Sequence, residues 1–396
     1  MKHILIVGGG FGGIKTALNL MGNRDLYITL LTDHPDFRYY PELYHTATGG
    51  LHAQTSIPIG KILPENSNIE VVIGTAEKLD RTNQTIIRTE KQSLTYDVLI
   101  LGLGSQTNYF GIAGLAEYSY GIKSYKEIIR FREHLHKQLN DDRKPDLNYV
   151  IVGGGPTGIE LAGVLPGYLS KIMKNHGINH KAIHITLVEA APCLLPRSPK
   201  SISRAVYNRL RKLGIKVYLG QTVKGETADT LVVNEKVINS HTVIWTAGVT
   251  NNPFFRNNAF NITDRGKVTV DEHLEAEPNI YVIGDNANTE FSGMAQTALR
   301  DASFVSNDIN KKLSNKHRDT YKPKKPVTVI PTGPHWAAVD WGRFHFAGGL
   351  GWILHELATL RAYHDYEPWW KASEQWMTEL GTEEECAICA TAEQEK

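Results

Sequence analysis

The sequence holds no uninterrupted run of about 18 or more apolar residues, so no segment is built to cross a bilayer as a helix. Cysteine is scarce: Cys193, Cys386 and Cys389 are the only three in 396 residues, too few for a disulfide framework and suited to a reducing compartment. Only Lys2 stands between Met1 and the first apolar run at His3. That leaves no room for the charged region, apolar region and cleavage site of a secretory signal, and a cytoplasmic address is expected. No sign of charge dominates either. With a net charge of +1, 21% charged and 41% hydrophobic residues, the chain is neither disordered nor broadly polyanion-binding, and nucleic acid is not an expected partner. What is present is length for two or three domains, and an uneven supply of tryptophan. Six of seven (Trp336, Trp341, Trp352, Trp369, Trp370, Trp376) crowd into the stretch from 336 to 376.

Residues 3–7, His-Ile-Leu-Ile-Val, read as a short buried parallel strand. The pattern G-x-G-x-x-G follows at once, on Gly8, Gly10 and Gly13, with Phe11 and Gly12 between them and a helical stripe of Ile14, Ala17, Leu18 and Met21 after it. The chemistry is that of a dinucleotide turn. Gly8 makes the tight bend, Gly10 lets the pyrophosphate approach, Gly13 lets helix pack on strand, and the helix N-terminus receives the phosphate. A second apolar strand, Tyr27 to Leu31, leads to Asp33, a carboxylate placed to accept hydrogen bonds from an adenosine ribose.

The motif occurs twice. The run Asn148 to Val152 leads into Gly153, Gly155, Thr157 and Gly158, then a helix carrying Glu160, and the next strand, Ile183 to Val188, ends at Glu189. Two such units in one chain call for two dinucleotides, most naturally a tightly held flavin and a dissociable nicotinamide. Glu189 favours a free ribose 2'-hydroxyl over a 2'-phosphate, so NADH is preferred over NADPH. Three further strand-to-glycine turns recur, at 96–105 with Gly104, at 242–248 with Gly248, and at 279–285 with Asp285. Asp285, just past a strand end, points into the ligand crevice of such a sheet.

Taken together, the motifs GGGFGG (8–13), TATGG (46–50), GSQTNYFGI (104–112), GGGPTGIELAG (153–163), WTAGV (245–249), IGDNA (283–287) and AQTA (295–298) resemble the two-dinucleotide flavoprotein disulfide reductase superfamily. More narrowly they resemble its type II, non-proton-pumping NADH:quinone oxidoreductases, over about residues 1–310. The resemblance implies an α/β fold with two Rossmann-like dinucleotide-binding domains, the second inserted in the first. It assigns residues 1–125 and 266–325 to the FAD domain, 126–265 to the NADH domain and 326–396 to a C-terminal membrane-interface segment. It implies tightly bound FAD held by Gly8, Gly10, Phe11, Gly12, Gly13, Asp33, Gly104, Asp285 and Ala295, and NADH held by Gly153, Gly155, Thr157, Gly158, Glu189 and Gly248. It puts Glu160 against nicotinamide and flavin, and Gln296 by the flavin near a quinone channel.

The residues themselves leave both of those last roles open. Glu160 lies in the first turn of its helix, where the helix dipole stabilises a carboxylate, and it also suits proton management beside a flavin. At Gln296 a helix N-terminus would stabilise reduced flavin whatever the side chain. Residues 8–60 lack the cysteine pair of related disulfide reductases and the single cysteine near position 40 of peroxide- and oxygen-reducing relatives. Sulfide:quinone oxidoreductases need cysteines in the sheet domains beside the flavin, whereas Cys193 sits too near Glu189 for that role and the other two lie in the tail. The implied reaction is therefore hydride from NADH to FAD and two electrons to a quinone. A reductase of a soluble electron carrier and a non-turnover signalling flavoprotein are the rivals.

Beyond residue 310 the chain is less constrained. Lys311, Lys312, Lys316, Arg318, Lys322, Lys324 and Lys325 face only Asp319, as either a solvated linker or a strip near anionic lipid. Leu350, Ile353, Leu354, Leu357 and Leu360 form a helical stripe opposite His355, Glu356, Thr359 and Arg361; such stripes commonly bury on the same protein or on a second copy of the chain. A second short helix beginning at Glu367-Pro368 carries Trp369, Trp370 and Trp376 and suits in-plane attachment to a membrane. Peripheral residence on the cytoplasmic face is the expectation. Cys386 and Cys389 form half of a zinc site, and no metal is assigned to them.

Overall fold

The computed structural model describes residues 1–50, 55–64, 67–89, 92–142, 145–175, 177–178 and 183–364. Its first sheet has six strands in the order Glu275–Glu277, Ile280–Val282, Val98–Leu101, Lys2–Val7, Leu26–Thr32, Ile69–Ile73. All neighbours pair in parallel except the antiparallel edge strand Glu275–Glu277. The central strands bury both faces: Ile4, Leu5, Ile6, Leu99, Ile100 and Leu101 are fully inaccessible. Continuous apolar runs, rather than alternation, are what a sheet covered on both sides requires.

Between Val98–Leu101 and its neighbour Ile280–Val282 the chain leaves to build a second, five-stranded parallel sheet, ordered Tyr120–Gly121, Thr242–Trp245, Asn148–Val152, His184–Glu189, Lys216–Leu219. The helix Pro156–Asn175 follows its central strand, as Phe11–Leu20 follows Lys2–Val7 in the first sheet. The α/β architecture with parallel sheets is thus as expected.

A three-stranded antiparallel sheet, Thr328–Pro331, Ala337–Trp341 and Phe344–Gly348, and the helix Gly349–His364 complete the described chain. This unit is docked on the second domain. A Cβ at Gly163 would lie 2.3 Å from the Gly333 nitrogen, so the helix Pro156–Asn175 meets the turn after the first of these strands backbone to backbone. Arg209 donates to the carbonyls of Thr332 and Pro334 at 3.0 and 2.9 Å.

Two expectations for this region are refined. The basic strip is only partly free: Lys312, Arg318 and Lys325 pair with Glu275, buried Asp308 and buried Asp340, Lys311 pairs with Asp319 inside the strip, and Lys316, Lys322 and Lys324 are exposed. In the helix Gly349–His364 the apolar stripe is split. Thr359 is buried and His355 is largely covered, whereas Leu350, Ile353 and Leu357 are 73%, 55% and 51% exposed. The inward polar face has polar partners awaiting it, which outweighs the pull of the leucines toward the core. Trp336 packs on the second-domain core under Arg209, Trp352 meets the His335 ring edge-on and the His355 ring at a tilt, and Trp341 is exposed. Trp369, Trp370, Trp376, Cys386 and Cys389 lie outside the described residues. No helix among the described residues is long and apolar enough to cross a membrane.

Candidate functional site: two dinucleotide cradles and a buried acid cluster

The first glycine turn is built by steric exclusion. Gly8 has φ +117°, and a Cβ there would lie 2.2 Å from the Gly102 carbonyl; one at Gly13 would lie 1.8 Å from the Gly8 carbonyl. Strand and helix therefore touch through backbone alone. Gly10 is the opposite case, with nothing within 4 Å of an added Cβ, and no side chain caps the helix it precedes. A free helix N-terminus facing open space is a cradle for an anion. Asp33 follows the strand Leu26–Thr32 with its carboxylate exposed and 3.1 Å from His34 Nε2. Gly12 packs against Ile283, while Phe11 turns into the core against Phe37 and Tyr39.

The other wall of this cradle comes from the returning chain. Asp285, in the turn Gly284–Asn286, accepts a hydrogen bond from the Ser105 hydroxyl at 2.6 Å and has Lys123 Nζ at 3.4 Å. Burial alone would raise its carboxyl, but Lys123, Ser105 and Lys267 outweigh that and hold it below the ordinary range. Asn286, fully buried, accepts from the Gly104 N–H at 3.0 Å and donates to the Gly104 carbonyl at 2.7 Å. It thereby pins Gly104, a positive-φ residue with open space above it. Asp301, also fully buried, accepts from the Gly284 N–H at 2.9 Å. Asn286 and Asp301 were not anticipated. The only sequence signal was their nearness to Asp285, since both act through a backbone that the fold alone brings there.

The second turn repeats the first. Gly153 has φ +118°, an added Cβ at Gly158 would lie 2.0 Å from the Gly153 carbonyl, and Gly155 faces open space. Thr157 is exposed at the start of the helix, and Gly248 lies under the Phe110 ring. Glu189 closes its strand with both oxygens engaged, accepting from the N–H of Gly154 at 2.5 Å and of Ala191 at 2.6 Å. The carboxylate is therefore held at the rim of the cradle by the glycine turn itself.

Glu160 lies one turn deeper in the same helix. Protein atoms crowd its carboxyl, and burial, with like-charge repulsion from Glu42, drives it well above the ordinary carboxyl range. Glu42 belongs to the short helical turn Tyr40–Glu42, is buried, and stands 3.9 Å from His355 Nε2. Tyr44 is raised by burial and then by Glu42, Glu160 and Glu356. His355 is pushed down to about 4 by burial and by neighbouring His45, so its imidazole is neutral. Of this group only Glu160 was singled out in the sequence; Glu42, Tyr44, His45 and His355 come from segments some 310 residues apart.

Ala295 and Gln296 open the helix Ala295–Leu313. Ala295 packs on the first-domain core, and the Gln296 amide holds Val327 at two points, donating to its carbonyl at 2.9 Å and accepting from its N–H at 3.2 Å. Gln296 thus ties the helix to the start of the C-terminal sheet. No group of three or more side chains suited to a metal ion occurs among the described residues.

Comparison with known proteins agrees with this geometry. The sequence profile described as pyridine nucleotide-disulphide oxidoreductase matches residues 2–302. Two type II NADH:quinone oxidoreductases of Mycobacterium tuberculosis, Ndh and NdhA, are 26% and 28% identical to the chain, covering 89% and 92% of it and 82% and 84% of their own lengths. Among solved structures, NDH2 from Plasmodium falciparum in complex with NADH superposes with a TM-score of 0.84 at 19% identity, covering 96% of this chain and 97% of that one. The sulfide:quinone oxidoreductase of Aquifex aeolicus shares the fold at a TM-score of 0.76 and 20% identity, covering 95% of this chain and 92% of that one.

Proposed function

The chain belongs to the pyridine nucleotide-disulphide oxidoreductase family, and from that premise we propose that it is a type II NADH:quinone oxidoreductase. It passes hydride from NADH to FAD and two electrons on to a membrane quinone, without pumping protons. The observation that carries this reading is the doubled cradle: two glycine turns closed by backbone contact at Gly8, Gly13, Gly153 and Gly158, each open over its middle glycine, Gly10 or Gly155.

The residues fit the two dinucleotides. At the first cradle the uncapped helix N-terminus takes the FAD pyrophosphate, Asp33 the adenosine ribose, and Asp285, backed by Lys123, the ribityl chain. At the second, Gly153, Gly155 and Gly158 admit the NADH pyrophosphate, and Glu189 accepts from its ribose 2'-hydroxyl. FAD, when bound, supplies the hydride acceptor and the two-electron carrier between NADH and quinone. The protein aligns the two rings, and Glu160 holds a proton at its carboxyl beside them. The chain's cysteines lie only at 193, 386 and 389, so the helix after the first glycine turn carries no thiol pair to divert electrons into disulfide chemistry.

The acceptor is lipid-soluble, and the outward face of the C-terminal unit suits a membrane surface. Leu350, Ile353 and Leu357 on the helix Gly349–His364, and Phe344 (71% exposed) and Trp341 (52% exposed) on the adjoining hairpin, present apolar side chains to solvent. Indole and phenyl rings favour the headgroup boundary. The protein then sits peripherally on the cytoplasmic side of the membrane, with the helix Gly349–His364 in the plane of the interface. Purified FAD-loaded protein should oxidise NADH with a short-chain quinone, and cosediment with liposomes. Absence of quinone-dependent turnover refutes the activity, and unchanged cosedimentation after changing Leu350, Ile353 and Leu357 together to Ser refutes the surface.

A further inference from the structure

Hydride can pass only if the two cradles hold their rings together, and each cradle belongs to a different sheet. Packing joins the sheets broadly, since Leu43, Tyr44 and Ala47 from the first part of the chain are buried in the second-domain core. Setting ring against ring is a finer requirement, because a misplacement of about 1 Å costs on the order of 100-fold in rate. One element runs directly from cradle to cradle. It is the antiparallel ribbon of Ser105–Thr107 with Val249–Asn251, in which Ser105 faces Asn251 and Thr107 faces Val249.

At its NADH end the ribbon continues from the turn 246–248, which abuts the second glycine turn. An added Cβ at Gly153 would lie 2.9 Å from the Ala247 backbone, and one at Gly158 2.7 Å from Thr246 Oγ1. The strand Thr242–Trp245 lies on one side of Asn148–Val152 and His184–Glu189 on the other. With the adenosine ribose at Glu189, the nicotinamide half of NADH reaches the Gly248 side. This end is fixed to the second domain: Thr107 Oγ1 donates to Glu127 at 2.7 Å, and Trp245 Nε1 donates to the Asn108 carbonyl at 2.8 Å.

The flavin end is held by one buried amide. Asn286 accepts from the Gly104 N–H at 3.0 Å and donates both to the Gly104 carbonyl at 2.7 Å and to Asn251 Oδ1 at 2.5 Å. It thus clasps the chain where it leaves the first domain and again where it returns. Asn251 Nδ2 donates in turn to the Gly266 carbonyl at 2.7 Å, and the Ser105 hydroxyl to Asp285 at 2.6 Å. So short a two-stranded ribbon has little rigidity of its own, and the fixings at its ends decide where it lies.

We propose, on the strength of the NADH-to-FAD reading, that Asn286 is a positioning residue for hydride transfer: by clasping both strands of the ribbon to the turn that bears Asp285, it sets the nicotinamide side of the NADH cradle in register with the flavin. Being fully buried, the amide acts through Gly104 and Asn251 rather than on either dinucleotide. The task needs a donor and an acceptor on one short side chain, which an alkyl group or a carboxylate does not supply.

The test uses the FAD-loaded full chain as wild type, Asn286→Ala and Asn251→Ala, with NADH-driven bleaching of the flavin and its quinone-driven recovery followed separately by stopped flow. The bleaching rate at saturating NADH should fall about 10-fold or more in Asn286→Ala, and by less in Asn251→Ala, which leaves the grip on Gly104 in place. The NADH concentration giving half that rate, and the recovery with quinone, should stay within about 2-fold, since each cradle is intact by itself. Because the two residues share a hydrogen bond, the double variant should lose less than the product of the single losses. Hydrogen exchange read by mass spectrometry, which needs no turnover, should quicken at 105–107 and 249–251 in both variants. Asn251 lies outside the flavin turn and is half-buried, so its variant decides the matter if Asn286→Ala retains no FAD. Unchanged bleaching in the loaded variants overturns the proposal. So does an equal loss of bleaching and recovery, which marks general damage, and so does unchanged exchange in the ribbon. A wild type that never bleaches with NADH overturns the reading beneath the proposal, a failure told apart by its presence before any substitution.

Discussion

Glu226 is a carboxyl that the fold buries with one oxygen lacking a hydrogen bond among the described residues, and its removal has a worked consequence. It ends the strand Val223–Glu226, is 7% exposed, and its Oε2 has no hydrogen-bond partner among the described residues. Its main-chain N–H donates to the Ala113 carbonyl at 3.0 Å, so it sits where the chain crosses from the first sheet to the second. Burial raises the carboxyl from 4.5 to about 8, opposed only partly by Arg130. The folded chain thus keeps a proton that the unfolded chain has released. Its contribution to stability is complete below pH 4.5 and is lost as pH rises through about 8. At about 1.4 kcal/mol per pH unit, the full loss between pH 4.5 and neutral pH is about 3.5 kcal/mol, which screening at the accessible edge reduces to about 2–3 kcal/mol. Glu226→Gln keeps the shape and removes the titration. Across this range the difference between the two proteins' melting temperatures should move in the variant's favour as pH rises, by about 4 °C between pH 4.5 and pH 8. The slope against pH carries the comparison, since any fixed cost of burying the amide shifts every point equally. Parallel slopes would refute the reasoning and mean that the carboxylate has a charge partner in solution.

Two further outcomes bear on the cradles. Gly10→Ala should melt like the wild type without FAD, because nothing crowds its Cβ, yet retain less FAD on gel filtration. Gly13→Ala, 1.8 Å from a carbonyl, should lose stability before cofactor is considered; equal behaviour of the two variants would contradict the assigned geometry. Glu189→Ser should raise the relative use of NADPH about 10-fold or more in steady-state kinetics by removing repulsion of the 2'-phosphate. An unchanged preference removes Glu189 from the ribose site.

Much of the fold was legible because its signals are local. A buried parallel strand must be apolar along its whole length, and a phosphate turn needs glycine at fixed offsets, so Lys2–Val7 with Gly8, Gly10 and Gly13 declared itself, as did Asn148–Val152 with Gly153, Gly155 and Gly158. The C-terminal helix was legible as a helix but not in its orientation. Periodicity identifies a polar and an apolar face, and which one turns inward depends on what waits there. Here that is Glu42, so His355 faces in and Leu350, Ile353 and Leu357 face out.

The sequence by itself determined two parallel α/β units, their nucleotide turns and the acids at their strand ends, because each rests on residues within one strand, turn and helix. Only the tertiary structure decided which distant groups share a site. Asn286 grips Gly104, Gln296 holds Val327, and Glu42 meets His355 across separations of 182, 31 and 313 positions. No local pattern encodes such pairs, since a hydrogen bond or a shared low-dielectric pocket depends on proximity in space and leaves no periodicity along the chain.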